Sequence, residues 1–487
     1  MPGPCWLFRF DALDGANAAK TLYFSDGEYV DGSNNLYVKR LKNPALMTVS
    51  PNDGGNLRVF SASSMGEVEL SNMDGGLDYL ADYAINGRSA TLEYFNGTGV
   101  IAYFSGTCSV LRESAGSLFV SLRTLKDVLA TDHPQATFAG NNSLPNGVEG
   151  VSTDIKGNVK PRCYGNVLNQ TPVLVNTSLL ISLASIRTST VIDAAYDRGV
   201  ALTKGADYPD LATMQSTAPS AGQFRCYQGY LRLGSSPVGT ITVDSHDASN
   251  LAGDVFSAII VERGYTLDAA SKAVLNGIGS IGIIVDQTRK TTDILDEIIK
   301  GLGAYYYFIS NTVYAAKLAL AVSSSFTLNP WQIEQIERKA TGLGSNGLPI
   351  ASVKIQADKI FTVQNDLDNT AVSPVRVARM SNEYRKTEAN SSACLTRNPL
   401  AETLKIDSCL NSITDAAAVA TSLLNVVSNR VDWVSIVAHV SVLPTLLIGM
   451  GITVISPYLG YSAGRLMTLI NVEIDVRNNI ITLDVIG

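Results

Sequence analysis

The sequence predicts a mainly β chain with α+β portions, and three observations predict it. Side chains alternate with period two at both ends: Trp6, Phe8 and Phe10 stand opposite Leu7, Arg9 and Asp11, and Ile481, Leu483 and Val485 opposite Thr482 and Asp484. Turn clusters separate such runs, as at Ser25-Asp-Gly, Asp31-Gly-Ser-Asn-Asn, Asn52-Asp-Gly-Gly and Asn96-Gly-Thr-Gly. Helical spacing, by contrast, is concentrated between residues 250 and 320.

Residues 1–125 read as a first β domain, expected to be completed by strands at about 225–245. Val68 and Leu70 alternate with Glu67 and Glu69, and Leu118, Val120 and Leu122 with Phe119, Ser121 and Arg123. One helix is expected within it, where Leu77, Leu80, Ala81 and Ala84 form a stripe that Asn86-Gly87 ends; a strand follows from Arg88 to Phe95. Residues 126–225 read as an inserted, irregular β-rich domain, punctuated by Pro134, Pro145, Pro161, Pro172, Pro209 and Pro219, with a helix expected near Thr190 to Asp197.

Residues 246–320 read as an α+β peripheral domain. Asp254 to Arg263 and Leu267 to Leu275 look helical, and Ile281 to Val285 looks like a strand. Thr292 is expected to cap a helix carrying Ile294, Leu295, Ile298, Ile299 and Leu302, which Gly301 and Gly303 stop. Strands Tyr305 to Ser310 and Val313 to Leu318 follow, joined at Asn311. Residues 321–487 return to strands around one helix at about 415–430, opened by Thr414 and Asp415. A strand from Asp432 to Val440 and two closing strands complete it; in the first of these, Val472, Ile474 and Val476 alternate with Glu473 and Asp475. The order strand, helix, strands thus appears near each end, as an architectural hint without sequence self-similarity.

Composition narrows the function. At roughly 150 residues per domain, 487 residues make about three domains. The net charge is 37 − 44 = −7, and charged residues are 17% against 46% apolar. Such a chain buries a large core, and its mildly acidic balance makes it a poor candidate for a dedicated duplex-DNA reader, which needs a basic face. Six cysteines without a C-x-x-C motif are no disulfide scaffold, and six reduced thiols in a cytoplasmic setting are expected. Met-Pro-Gly-Pro-Cys-Trp lacks the charged start and apolar run of a signal peptide. Val434 to Ser456 carries no charge, but His439, Pro444, Gly449 and Gly451 favour two strands around a turn over a membrane span.

The motifs yield no catalytic set. Gly277-Ile-Gly279-Ser-Ile-Gly282 matches the dinucleotide fingerprint as a string, but a helix precedes it and a strand follows, the reverse of what a pyrophosphate site needs. Gly342-Leu-Gly344-Ser-Asn-Gly347 runs into Pro349 and a strand, and Lys20-Thr21 has Ala19 where a P-loop needs glycine. Asp244, His246 and Asp247 could ligate a metal or do acid–base work, yet read more simply as a solvated strand end. With three histidines, a His-based zinc site is nearly excluded. Cys163 and Cys226 each precede a tyrosine and read as small buried hydrophobes, with a Cys–His pair left as an alternative. A structural component is expected rather than an enzyme.

Four segments carry a family likeness: Tyr23-Phe-Ser-Asp-Gly27; Glu67-Val-Glu-Leu-Ser-Asn72-Met-Asp-Gly-Gly-Leu77 with Asp82-Tyr83 and Asn86-Gly-Arg88; Lys160-Pro161-Arg-Cys-Tyr-Gly165 with Pro172 to Asn176 and Tyr196-Asp-Arg-Gly199; and Tyr230-Leu-Arg-Leu-Gly234 with Pro237 to Asp244 and the closing Ile481 to Gly487. In this order the chain resembles the tail-tip, or baseplate, hub proteins of long-tailed bacteriophages and related gene-transfer particles. The resemblance implies two tail-tube-like β-barrel or sandwich domains, here 1–125 and 321–487, with smaller peripheral domains outside. It implies a homotrimer in the virion tail, assembled in the host bacterial cytoplasm, that closes the distal tube and forms part of the DNA channel. Implied partners are the distal tail ring protein, the tape-measure protein and a central fibre or tip protein, with DNA passing transiently and no stable membrane insertion. Some relatives carry an iron–sulfur cluster or further C-terminal domains; widely spaced cysteines and a chain ending on tube-like strands lead us to expect neither, and no cofactor. Glu67, Glu69, Glu473 and Asp475 are candidate lumen-facing carboxylates, an outer or contact face being the alternative. The other readings are a hub or spike of a contractile injection machine and a wall-degrading or glycan-binding tail protein.

Overall fold

The computed structural model describes residues 3–58, 60, 64–142, 147–309, 311–439, 448–475, 478 and 480–487. Pro145, Ser310, Val440, Pro444 and Val476, named above, lie outside them. The fold is mainly β with α+β parts, at 41% strand and 17% helix.

The N-terminal residues build a nine-stranded sheet in the order Tyr29–Val30, Leu36–Lys39, Ala19–Ser25, Cys5–Leu13, Ser89–Phe95, Val100–Ser114, Ser117–Arg123, Glu67–Ser71 and Leu41–Asn43. Alternation decides its faces. Trp6, Phe8, Phe10, Val68, Leu70, Leu92, Leu118 and Val120 point to one side and are buried; each large side chain so buried contributes roughly 1.5–3 kcal/mol to the core. The C-terminal residues build an eight-stranded sheet whose main path is Phe326–Leu328, Gly451–Val454, Arg465–Asp475, Ile480–Ile486, Trp433–His439 and Ile333–Ala340. Its inward side chains, among them Val434, Ile436, Leu469, Val472, Ile474, Leu483 and Val485, belong to the same apolar cluster as those of the first sheet.

The two sheets are also joined through the backbone. Met47–Val49 leaves the first region and pairs antiparallel with the C-terminal strand, Val49 opposite Val472 and Met47 opposite Ile474. The next loop docks on the α+β module: Asn52 bridges Tyr306 by two backbone hydrogen bonds, of 2.7 and 2.9 Å, and its amide donates to Asp296 at 2.7 Å. Buried Asp53 holds that loop by accepting the amides of Gly55, Asn56 and Leu57.

The inserted region forms two five-stranded sheets. One runs Val200–Ala201, Val191–Asp197, Ile241–His246, Arg162–Gln170 and Gly282–Val285; the other Val173–Asn176, Ile181–Leu183, Tyr230–Leu233, Gln223–Tyr227 and Thr203–Lys204. Strands between 223 and 246 therefore pair inside the insert, which corrects the expectation that they complete the first sheet. Val191–Asp197 is a strand and not the helix expected there: it pairs with Ile241–His246 through a bulge between Ile192 and Ala194 that breaks the alternation a strand would show. In Arg162–Gln170, Gly165 sits at φ 69°, and a Cβ there would lie 1.9 Å from the Ile281 carbonyl oxygen, so only glycine lets the neighbouring strand approach.

Helices Ala252–Val261, Ala269–Asn276 and Thr291–Leu302 pack with strands Thr266–Leu267, Ala304–Ile309 and Thr312–Lys317. The third helix is capped by position rather than by a side chain: Lys290 is its N-cap and Thr292 is a buried first-turn residue, a correction to the expected Thr292 cap. Gly303 ends it in the left-handed conformation, while Gly301 remains helical. The Leu77–Ala84 stripe forms only a short 3-10 helix, Asp78–Asp82, with Leu80 buried. Within 321–487, a smaller sheet of Arg385–Asn390, Ser352–Ala357 and Thr403–Asp407 carries the helix Ile413–Val427, whose N-cap is Ser412 in place of the expected Thr414 and Asp415. Helices Pro374–Met380 and Ser392–Arg397 add to the one helix expected in this region. Gly449 takes a turn conformation at φ 89°, whereas Gly451 begins the strand Gly451–Val454 rather than sitting in the turn. No described helix is long and apolar enough to cross a membrane.

Candidate functional site

The outward faces of the two large sheets hold the four carboxylates singled out from sequence. On the first sheet, Glu67 stands opposite Ser121 and Glu69 opposite Phe119, on the side away from Val68 and Leu70. Glu67 accepts from Arg112 and from the Ser121 hydroxyl, each at 2.7 Å, and Arg112 lies 4.0 Å over the Phe119 ring. The Arg112 hydrogen bond holds the Glu67 carboxyl below its ordinary range. Glu69 accepts from Lys42 at 2.5 Å and from Ser117 at 2.7 Å. Further along the same face, Arg9 lies 3.7 Å from Glu93 and Asp11 accepts from Thr21 at 2.7 Å. Asp11, Glu67, Glu69 and Glu93 thus share the face with Arg9, Lys39, Lys42, Arg112 and Arg123, a sum of 5 − 4 = +1.

The second sheet differs. Glu473 is flanked by Thr48 and Thr482, and Asp475 accepts from the Asn478 backbone and side-chain amides. No cation among the described residues pairs with either. Asp484 and Glu337 lie on the same side, with Lys339 as the cation, 2.8 Å from Asp484. Counting Glu337, Glu473, Asp475, Asp484 and Lys339 gives 1 − 4 = −3.

Sequence reasoning missed a partly buried ion network that fastens the insert to the α+β module. Glu262, at the end of helix Ala252–Val261, accepts from Arg162 at 2.6 Å, from Arg187 and from the Tyr164 hydroxyl at 3.0 Å; His133 lies 3.2 Å away. Arg187 also pairs with Asp247 at 2.9 Å and stacks 4.3 Å over Tyr164. Burial pushes the Glu262 carboxyl up, but the His133 hydrogen bond and the charges of Arg187 and Arg162 more than offset it, so the group stays below its usual value. Its members are spread from 133 to 262, and nothing in their local spacing marks them as partners.

The remaining motifs fall into structural roles. Asp244 and His246 lie within the strand Ile241–His246 and Asp247 just after it, and they diverge: Asp244 accepts from Tyr196 and the Asn169 amide, His246 meets Asp193 at 2.8 Å, and Asp247 holds Arg187. Among the described residues no group of three or more His, Cys, Asp or Glu side chains could hold a metal. Gly277 ends a helix and Gly282 starts a strand, and the 342–347 glycines form turns before Ser352–Ala357. All six cysteines are buried and free of disulfides; burial pushes the Cys163 and Cys226 thiols up to about 12, which keeps them protonated and unreactive.

No family model matches the chain, and no curated protein matches it. Among solved structures it is similar to a tail protein from Neisseria meningitidis MC58, at 9% identity over 99% of this chain and 96% of that one, TM-score 0.38. It is similar also to the 43 kDa tail protein of prophage MuSo2 from Shewanella oneidensis, at 7% identity over 99% and 97%, TM-score 0.42. A third likeness is to a chain in the virion of a native gene transfer agent particle, at 12% identity over 68% and 84%, TM-score 0.42. These neighbours are a tail protein, a prophage tail protein and a chain of a gene-transfer-agent virion.

Proposed function

We propose that the chain is a non-enzymatic hub of a phage tail tip or baseplate: a homotrimeric ring that closes the distal tube, joins it to the tip fibre and forms part of the DNA channel. The observation that carries the reading is the pair of large, mostly antiparallel sheets, one from each end of the chain, whose inner faces share an apolar core. Three copies would present six such sheets, and cyclic closure is the economical way to arrange them. In this reading 1–125 and 321–487 are the tube-like domains, 126–225 the insert and 246–320 the peripheral domain. The four sequence segments that resemble tail-tip hubs support the same assignment. The distal ring, the tape-measure protein and a central fibre are the partners it calls for.

The charge pattern supports a channel role. A wall rich in Lys and Arg would bind phosphates and release counterions, retarding DNA. The first outward face is close to balanced and the second acidic, so the second is the better wall for a path that DNA crosses without being held. We assign Glu473 and Asp475 to the lumen ahead of Glu67 and Glu69, whose charge Arg112 and Lys42 already neutralise.

The mass of the intact native tip tests the assignment: three copies per ring are expected, and six copies in one ring would overturn it. Filter binding tests the channel charge. The assembled ring should retain no DNA at physiological salt, and tight, salt-sensitive retention would end the lumen assignment.

A further inference from the structure

The core shared by the two large sheets is open to solvent at two places. The first is a groove of about 350 Å³ on the second sheet, between the start of the strand Ile333–Ala340 and the turn at Ser456, Pro457 and Tyr458. That strand ends the sheet among the described strands, so the groove lies along a free edge. Ile333 and Ile336 line it and pack against the shared core. Next to Pro330, which also lines it, Trp331 stands 80% exposed, and Tyr458 in its wall 69%. Tyr458 is firmly held. Leu459 after it takes the left-handed conformation at φ 60°, which bulky residues rarely adopt. Arg338 donates to the Leu459 carbonyl at 2.8 Å, and the Tyr461 hydroxyl donates at 2.6 Å to buried Asp432, which Arg338 and Arg430 also engage. A strained turn that fixes an aromatic side chain in the open is the preorganised anchor of a contact site.

The second place is the free edge of the first sheet, which Tyr29–Val30 ends. Val30 stands opposite Leu36, and Val38 follows Leu36 on the same face, so the three form one strip. Leu36 is 65% exposed, and both valines are exposed with it. Val38 pairs with Phe24, whose side chain belongs to the shared core. The strip therefore prolongs the core face of the first sheet beyond what covers it. Tyr37 points the other way, buried between Tyr23 and Tyr29 at ring distances of 5.1 and 5.3 Å, which keeps the edge ordered.

The contact made inside the chain indicates what covers both. There the core faces of the first and second sheets bury one another. A second copy offers the same match again, its first-sheet face for the groove and its second-sheet groove for the strip. A twofold contact would set groove on groove or strip on strip and leave the other feature bare, whereas a head-to-tail contact covers both. We propose that the groove beside Trp331 and Tyr458 receives the Val30, Leu36 and Val38 strip of a second copy. The contact deepens the ring reading and rests on it for the number of copies that closes; the pairing of the two surfaces is tested apart from that number.

Sedimentation velocity of the full chain over a range of concentrations tests it, with Trp331→Asp on the groove side and Leu36→Asp on the strip side. Both positions are exposed, so neither charge enters the core. Each variant alone is expected to self-associate at least roughly tenfold more weakly than the wild-type chain. Mixed in equal amounts at high concentration, the two should form dimers and nothing larger. The Leu36→Asp chain keeps an intact groove and the Trp331→Asp chain an intact strip, so one contact forms and no further one can. If either variant fails to fold, Tyr458→Ser and Val30→Asp repeat the test from the same two sides. A wild-type chain that stays monomeric, assembly indifferent to either variant, or a mixture without dimers would overturn the proposal. Wild-type trimers indifferent to both variants would overturn it and leave the ring standing. Wild-type assemblies of another size that both variants weaken would sustain this contact and end the trimer.

Discussion

The two large sheets share a core and differ on their outward faces. On the first, every carboxylate singled out from sequence has a cation or a hydroxyl within hydrogen-bond distance; on the second, Glu473 and Asp475 face threonines and an asparagine. Identical alternation thus produces different electrostatics, because the sequence of one strand sets only which side a carboxylate faces. Neighbouring strands decide whether it is neutralised: Leu41–Asn43, directly beside Glu67–Ser71, brings Lys42 and Val100–Ser114, one strand further off, brings Arg112, while Ile480–Ile486 brings Thr482.

The largest expected effect tests the sharing of the core. Leu92→Ala in the first sheet and Leu483→Ala in the second each remove a fully buried side chain, at a cost of about 2–5 kcal/mol. Both should lower the same thermal transition. Two separate transitions, each sensitive to one variant, would break the picture of a common core.

Next comes the loop that fastens the first region to the α+β module. Burial raises the Asp53 carboxyl to about 6, despite three backbone amides that favour its ionised form. A carboxyl raised in the fold contributes stability that is complete below its ordinary value and is lost as pH rises through about 6. Asp53→Asn should therefore flatten the change in stability between about pH 4 and 7, on the order of 3 kcal/mol at most. An unchanged pH profile would show that Asp53 is not the group responsible.

The smallest effect separates the faces themselves. Arg112→Met removes an exposed partner of Glu67 and should cost no more than about 1 kcal/mol, while Glu473→Gln should cost nothing or stabilise slightly. Glu67 is held low, so its contribution is present above the ordinary carboxylate range and fades as pH falls through its folded value, the opposite sign to Asp53. Arg112→Met should weaken that acid dependence, leaving the part held by the Ser121 hydroxyl. Urea titrations of both variants at neutral and acid pH check the ordering, and a larger loss from Glu473→Gln would reverse the comparison.

What was legible in the sequence follows the range of the interactions. Trp6, Phe8 and Phe10 announce their strand because alternation is local, and Ile294 to Leu302 announce their helix for the same reason. Val191–Asp197 was misread because its bulge destroys the period-two signal, and Leu77–Ala84 because one apolar turn suits a 3-10 helix as well as an α-helix. The candidate carboxylates were legible as one-face residues, but their partners were not. The Glu262 network and the stacking of Arg376 on Tyr196 join residues from different regions, and no local pattern encodes such meetings.

The pairing of Val49 with Val472 has a consequence for how the molecule is made. The two residues are 472 − 49 = 423 positions apart, so the strand Met47–Val49 emerges from the ribosome long before its partner exists. At ~5–20 residues per second in synthesis, that interval is on the order of half a minute, during which an early edge stands open. Closure of this edge therefore waits for residues 472–474, and a ribosome that stalls before them would release chains whose first region is built but unlatched.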